Sequence, residues 1–363
     1  MHTEIETEKF KKVLEIVSRV STKHLTLPVL QCVYLEAGTN TLSVKATNLE
    51  IGIEDSVPAT VKETGVVAVS AQTLLQTINL VTETSVTLTH TESTLIIQTK
   101  TSKTEIKTTP ADEFPNIPRI TSSSQEINGT LFAEGIKTTA FTASQSSIKP
   151  ELGSIYIVQK KEHSLTFVAT DSFRLMEKTI AQKNISLNDS ILIPQKNALE
   201  IARVIEHNTE GVQLYINENQ CAFEIGSLYI TSRLTNGTFP DYQQIIPKEY
   251  ITHTTLLTED LLQALKKTNI FLNKFMQLTM SIEGGVMTLS SQSGEVGNTT
   301  ETINISTEGE DITLNFNQRY IYESLGYIKD DSVVLHFAGI GRPMVLEGVH
   351  DHSMRYLVMP MNK

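Results

Sequence analysis

The residues of this chain with the greatest chemical potential are few and scattered. His350-Asp351-His352 puts two imidazoles on one face of an extended segment, a spacing that could hold a metal ion. No third ligand lies near in sequence, so the segment reads as an exposed loop or strand edge. Asp171 stands close to Arg174, and the two could form an acid/base pair. A structural turn at a strand end is the stronger reading, because an internal repeat puts Asn48 opposite Asp171. Gly339-Ile340-Gly341-Arg342 lacks the third glycine and the helix of a dinucleotide site. Neither a phosphate loop nor a Gly-x-Ser-x-Gly nucleophile turn occurs. Cys32 and Cys221, the only cysteines, are too far apart in sequence to suggest a disulfide framework or a thiolate metal site. No catalytic residue, metal or cofactor is therefore assigned, and the pattern favours binding over catalysis.

The elements that carry these residues repeat. Val44-Lys45-Ala46-Thr47-Asn48-Leu49 returns as Phe167-Val168-Ala169-Thr170-Asp171-Ser172, and Glu113-Phe114-Pro115-Asn116 returns as Thr238-Phe239-Pro240-Asp241. A third, more diverged copy runs from about residue 252, giving a period of about 123 residues and a division into 1–124, 125–249 and 250–363. In the first copy, apolar residues at helical spacing predict a helix over 7–21, capped by Thr7, and a second over 70–81. Strand-like runs are expected at 29–37, 41–57, 85–89, 94–99 and 104–108. The second copy has a weak helix over 129–143, strands over 154–159 and 165–170, and a helix starting near Pro194 as a first-turn residue. Helices over 258–272 and 317–329 complete the third. The expected fold class is α+β: three repeated domains, each with two helices packed on antiparallel sheets.

Composition narrows the class further. No apolar run is long enough to span a membrane and the N-terminus is no signal peptide, so a soluble, cytoplasmic protein is expected. The net charge of −11 argues against gripping nucleic acid over the whole surface. The helices are nevertheless net basic, through residues such as Lys9, Lys12, Arg19, Lys137, Arg203 and Arg319. Ordinary solvated helix faces explain this, or else a weakly basic surface that meets phosphates without reading sequence.

Together, Ala169-Thr170-Asp171-Ser172-Phe173-Arg174-Leu175, Phe239-Pro240-Asp241-Tyr242 with Pro247, and the terminal Met359-Pro360-Met361 resemble the bacterial DNA polymerase III beta subunits, the sliding clamps. Thr26-Leu27-Pro28-Val29-Leu30 and Phe114-Pro115-Asn116 fit the same family, and the resemblance covers the full chain. It implies a non-catalytic processivity factor, a homodimer closed head to tail into a ring around duplex DNA. Its implied partners are the replicative polymerase, the clamp loader and other proteins bearing clamp-binding motifs.

The resemblance also implies sites. A pocket for short peptide motifs would include Leu152, Thr170, Ser172, Phe173, Arg174 and Leu175, together with Pro240, Gln244 and Ile245. Asn317, Tyr320, Pro343, Leu357, Met359, Pro360 and Met361 would complete it. Arg174 and Asn317 could satisfy polar groups of the peptide, whereas Leu175, Ile245 and Leu357 could equally be plain core. DNA would be met by Lys23, His24, Gln72, Lys149, Lys196, Lys266 and Lys267. The dimer interface would pair Thr104 and Ile106 on one edge with Ile270 and Phe271 on another.

The departures matter as well. Ser172-Phe173 replaces the usual Gly-His of the family, which predicts a bulkier and less polar rim. Gln243 and Gln244 stand where basic residues are common, and His24 and Gln72 where arginines often face DNA. Asn362-Lys363 replaces a frequent Arg-Leu ending, and Thr104 is more polar than the aromatic often found there, which predicts a weaker dimer. Two alternatives remain open on residues alone: a surface repeat protein binding ligands through its sheets, and a hydrolase using His350, Asp351 and His352.

Overall fold

The computed structural model describes residues 1–21, 26–183, 185–187, 189–209 and 211–361. The chain forms two compact units, the first from residues 1–134, 182–186 and 196–235, the second from residues 135–181, 187–195 and 236–363. Six α-helices stand among the described residues: α1 (Thr7–Val17), α2 (Ala71–Asn79), α3 (Gly129–Ala140), α4 (Gln195–Ile205), α5 (Thr258–Thr268) and α6 (Gln318–Leu325). None is long and apolar enough to cross a membrane.

The first unit is organised by a twelve-stranded antiparallel sheet that partly closes on itself. Strand Ile51–Glu63 makes this possible, because its length lets it serve two partners on one side. Residues Ala59 and Glu63 near its end pair with His2–Glu6 and close the circuit, while Ile51 and Glu54 pair with Leu228–Arg233 and carry the sheet onward. One face of α1, with Phe10, Val13, Leu14 and Val17, is buried, as are Ala71, Leu74 and Ile78 of α2. Ser70 caps α2 by accepting a hydrogen bond from the Thr73 amide at 3.3 Å.

The second unit contains a nine-stranded antiparallel sheet and a four-stranded one. In the larger sheet, Arg174–Ala181 pairs directly with Met354–Val358, so residues distant in sequence become neighbours, Leu175 opposite Leu357. The four-stranded sheet runs Gly297–Asn304, Val286–Ser293, Gln277–Glu283, Ile312–Asn317. Leu261 and Leu265 of α5 and Ile321 of α6 share one buried core with Leu278, Met280 and Phe316. Gln318 ties the two helices by donating to the Leu265 carbonyl at 2.8 Å.

Several local expectations are corrected. Thr7 is not a cap: α1 leaves strand His2–Glu6 directly, so Glu6 takes the cap position and the Thr7 amide bonds to the Thr84 carbonyl at 3.0 Å. The run 41–57 is a hairpin, Thr41–Thr47 and Ile51–Glu63, folded at Asn48 with Leu49 left-handed at φ 76°. Val29 lies in the short 3-10 turn Pro28–Gln31, and the strand begins only at Cys32. Pro194 ends strand Ile191–Pro194, opposite Ser154, and α4 begins one residue later. The weak helical signal of α3 has a packing cause: a Cβ on Gly135 would come within 2.5 Å of the Phe167 ring, so the apolar contact needs a residue without a side chain.

Candidate docking groove

The groove grows from one turn. Between strands Ser164–Thr170 and Arg174–Ala181, the Asp171 carboxylate accepts the amides of Phe173 and Arg174, each at 3.0 Å. The Thr170 hydroxyl donates to the Arg174 carbonyl at 2.6 Å and accepts the Ser172 amide at 3.1 Å. These bonds hold Ser172 at φ 78°, a left-handed conformation that costs an L-residue roughly 1–2 kcal/mol and that glycine adopts freely. Asp171 and Arg174 are thus a turn, not an acid/base pair.

Arg174 is committed within the chain. Its guanidinium donates to Asp171 at 3.0 Å, to the Phe141 carbonyl at 3.0 Å and to Glu323 at 2.5 Å. It stacks 4.3 Å from the Tyr320 ring centroid and 5.3 Å from that of Phe141. Burial would lower its basicity, but the carboxylates of Glu323 and Asp171 more than offset this and raise it. The expectation that Arg174 meets peptide polar groups is therefore replaced by a positioning role. Asn317 likewise has a local task, its side chain capping α6 by accepting the Arg319 amide at 3.0 Å.

Beneath the turn, Leu152, Leu175 and Leu357 are buried in one cluster with Val168, Leu192, Phe239, Tyr242 and Val345. They are floor rather than contact surface. Tyr156 and Phe239 stack at 4.7 Å, and Tyr242 donates its hydroxyl to Glu177. Burial first, then the Glu177 charge, push the Tyr242 phenol far above its ordinary range, so it stays a donor.

The open surface lies above this floor. Phe173 is 62% exposed and Ile245 50% exposed, both large apolar side chains. Gln244, Ile245 and Pro343 line one cavity of about 500 Å³ with Ile246, Pro247, Lys248, Glu249 and Arg342. The Met359 amide donates to the Phe173 carbonyl at 2.8 Å and the Met361 amide to the Asn315 carbonyl at 2.7 Å, pinning the C-terminal tail beside the turn. Pro240 is exposed, Thr170 buried, and Tyr320, Pro360 and Met361 half-buried. Sequence reading missed Glu323, Phe141 and Arg342, because nothing in local spacing links them to residue 174 or residue 245.

The other expected sites fall as follows. Lys23 and His24 lie outside the described residues. Gln72 is exposed in the first turn of α2, Lys149 in the loop before strand Ser154–Val158, Lys196 in the first turn of α4, and Lys266 and Lys267 in the last turn of α5. Lys267 pairs with Glu301 at 2.8 Å, which offsets its charge. In the first unit, residues 103–107 of strand Lys103–Thr109 pair only with Thr94–Gln98. In the second, Gly297–Asn304 is an edge strand, paired on one side only. Thr104 is half-exposed and Ile270 64% exposed, and the Phe271 ring lies against Gly297. Ile106, opposite buried Leu95, is itself buried in its own unit's core.

His350 and His352 lie in the connection between strands Met344–Gly348 and Met354–Val358. Asp330 accepts the His350 and Asp351 amides at 2.7 and 2.9 Å, and Asp351 accepts the Ser353 amide at 2.9 Å. The motif is turn structure, and among the described residues no group of three or more His, Cys, Asp or Glu side chains could hold a metal.

A different histidine pair makes a pH prediction. His253 and His336 face each other across adjacent strands, Nδ1 to Nδ1 at 2.7 Å, beside Tyr250. Burial holds the His336 pKa below 6.5; the neighbouring His253 and Arg355 act in the same direction, while Glu347 opposes them. A depressed pKa means that the unfolded chain binds the proton more readily. Stability is therefore full above pH 6.5 and falls as pH drops through the folded-state value. Urea midpoints measured from about pH 7 to about pH 5.5 should decline, and His336→Gln should flatten that decline.

Comparison with known proteins agrees with this fold. The chain is 27% identical to the beta sliding clamp of Synechococcus elongatus, covering 96% of each chain, and 26% identical to that of Streptococcus pneumoniae, covering 99% of each. The crystal structure of a DNA polymerase sliding clamp from Bacillus subtilis shares the fold, with a TM-score of 0.94 at 23% identity over 100% of this chain and 99% of that one. The DNA polymerase III beta subunit family matches three consecutive stretches, its N-terminal domain over 1–118, its central domain over 126–241 and its C-terminal domain over 243–362. With nearly every residue inside one of these three matches, the chain belongs to the DNA polymerase III beta subunit family.

Proposed function

We propose that this chain acts as a DNA sliding clamp, a processivity factor without catalysis of its own. Two copies close head to tail into a ring around duplex DNA, and the groove at Phe173 tethers the replicative polymerase, the clamp loader and other proteins carrying short docking motifs. The observation that carries this reading is the end-to-end match to the three beta subunit domains in order. It also supports a division into three clamp domains, 1–124, 125–249 and 250–363.

The geometry supports the closure. Each unit offers a different one-sided stretch of strand, residues 103–107 in one and Gly297–Asn304 in the other. Two unlike edges make a heterologous, head-to-tail contact, which closes when the rotation between copies allows it. Pairing them hides backbone groups that an exposed edge would leave open to aggregation. Ile270 and Phe271 stand by the second edge, and Leu80, 83% exposed after α2, is an apolar candidate on the first unit.

A topological link asks little of each phosphate contact. Lys11 pairs with Glu8, Arg203 with Glu200 and Arg319 with Glu323, so the helices are only weakly basic. Lys149, Lys196, Lys266 and Lys267, with Lys23, His24 and Gln72, make sequence-independent, salt-sensitive contacts that permit sliding. The cytoplasm, where the chromosome is copied, is the expected compartment. Sedimentation at micromolar concentration tests the closure: a dimer is expected, and monomer alone would contradict the ring.

A further inference from the structure

His350-Asp351-His352 is the metal-like motif of the sequence, but the fold assembles a different pair of imidazoles. His253 and His336 are 83 residues apart and stand directly opposite each other on adjacent antiparallel strands, Thr252–Leu257 and Ser332–Phe337. Alternation buries Thr252, Thr254 and Leu256 with Leu335 and Phe337, so both histidines emerge on the other face of the sheet. Their Nδ1 atoms approach to 2.7 Å. Tyr250 packs against both rings, its centroid 5.0 Å from that of His336 and 5.7 Å from that of His253. His253 is exposed and His336 half-buried, so the pair can be reached from solvent.

Two neutral imidazoles this close share one proton, the Nδ1–H of one ring donating to the Nδ1 lone pair of the other. Moving that proton to the donor ring's Nε2 aims two lone pairs at one point, where they repel each other unless a cation stands between them. A Zn2+–nitrogen bond is about 2.0–2.1 Å long, so a tetrahedral ion wants its two nitrogens about 3.3 Å apart. The opening needed is about 0.6 Å, which a small rotation of the exposed ring supplies. Burial keeps His336 uncharged at neutral pH, the form that ligates.

The surroundings suit a positive ion. Glu308 stands opposite His253 on its other side, and Glu347 lies two residues along from Val345, which stands opposite His336. The four side chains therefore share one face, with a carboxylate on each flank of the imidazoles. The opposing charge is Arg355, which Glu347 neutralises at 2.5 Å and Glu177 approaches at 4.0 Å. Imidazole nitrogens favour divalent first-row transition metals, whereas Ca2+ and Mg2+ take oxygen ligands.

We propose that His253 and His336 form a binding site for a divalent transition metal of the Zn2+ class, with water completing the coordination shell. The ion staples strand Thr252–Leu257 to strand Ser332–Phe337. Such a site needs neither the ring nor a docked peptide. Its two ligands meet only in the folded chain, so the ion stabilises the fold.

The test is calorimetric titration of the full-length protein, stripped with EDTA and desalted, with Zn2+ alone at about pH 7.5, where imidazoles are neutral. One ion per chain should bind with micromolar affinity, and Ca2+ and Mg2+ should not bind. His253→Gln and His336→Gln should each weaken Zn2+ binding at least about tenfold, because the second arm of a chelate acts at high effective concentration. The thermal transition of the wild type should rise with Zn2+ and those of the two variants should not. Transitions recorded without metal confirm that each variant folds. In nitrogen NMR of the wild type, Zn2+ should shift both Nδ1 resonances and leave both Nε2 atoms protonated. A double variant, His350→Gln with His352→Gln, should bind as the wild type does. No binding by the wild type at micromolar Zn2+, unchanged binding in both folded single variants, or loss confined to the double variant would overturn the proposal.

Discussion

Removal of residues 359–363 is expected to abolish binding of a polymerase-tail peptide while leaving the sedimentation of the protein unchanged. Two backbone hydrogen bonds tie this tail to the groove, from Met359 to Phe173 and from Met361 to Asn315. Without them the groove loses the Met359-Pro360-Met361 wall, and the Phe173 turn loses the Met359 amide that braces it. The buried floor of Leu152, Leu175 and Leu357 stays in place, because Leu357 belongs to the preceding strand. Losing a central wall of this kind removes anchor contacts worth about 2 kcal/mol or more, so affinity should fall at least about thirtyfold. Fluorescence anisotropy of the labelled peptide measures it, and an unchanged affinity would contradict the groove assignment.

Arg174→Ala is expected to destabilise the protein by about 3 kcal/mol. The side chain is 11% exposed and joins Asp171, Glu323 and the Phe141 carbonyl while stacking on two rings. Truncation leaves carboxylates facing each other across an emptied site, and an uncompensated, partly buried charge costs several kcal/mol. Arg174→Lys should recover little, because an ammonium can neither span these acceptors nor stack as a planar fork does. Urea unfolding gives the number; a loss below about 1 kcal/mol would show that Arg174 does not organise the turn.

How much of this was legible in the chain depends on the range of the interaction. The helix over 70–81 was readable because Ser70, Leu74 and Ile78 carry their cap and their buried face within a few residues. The Asp171 turn was readable through its counterpart at Asn48, since a turn set by side-chain caps on its own backbone is local. Thr7 was misread for a tertiary reason, as its amide is taken by Thr84. Ile106 was expected on an interface edge together with Thr104; that strand alternation opposite Leu95 buries its side chain was not legible, because the register is fixed only when the sheet forms. The role of Arg174 was hidden for the same reason, because Glu323 lies 149 residues away. Likewise, the repeat announced two equivalent turns, and only packing revealed that Ile117 covers Gly52 beside the first.

The central claim is topological, and one measurement addresses it most directly. The protein is loaded onto nicked circular DNA by its clamp loader, the complex is isolated, and the circle is then cut once. Retention on the circle and rapid loss from the linear product is the result expected of a ring held by its path around the duplex. Equal retention on both forms would mean that the protein grips DNA by contact alone, and the account of this chain as a sliding clamp would fail.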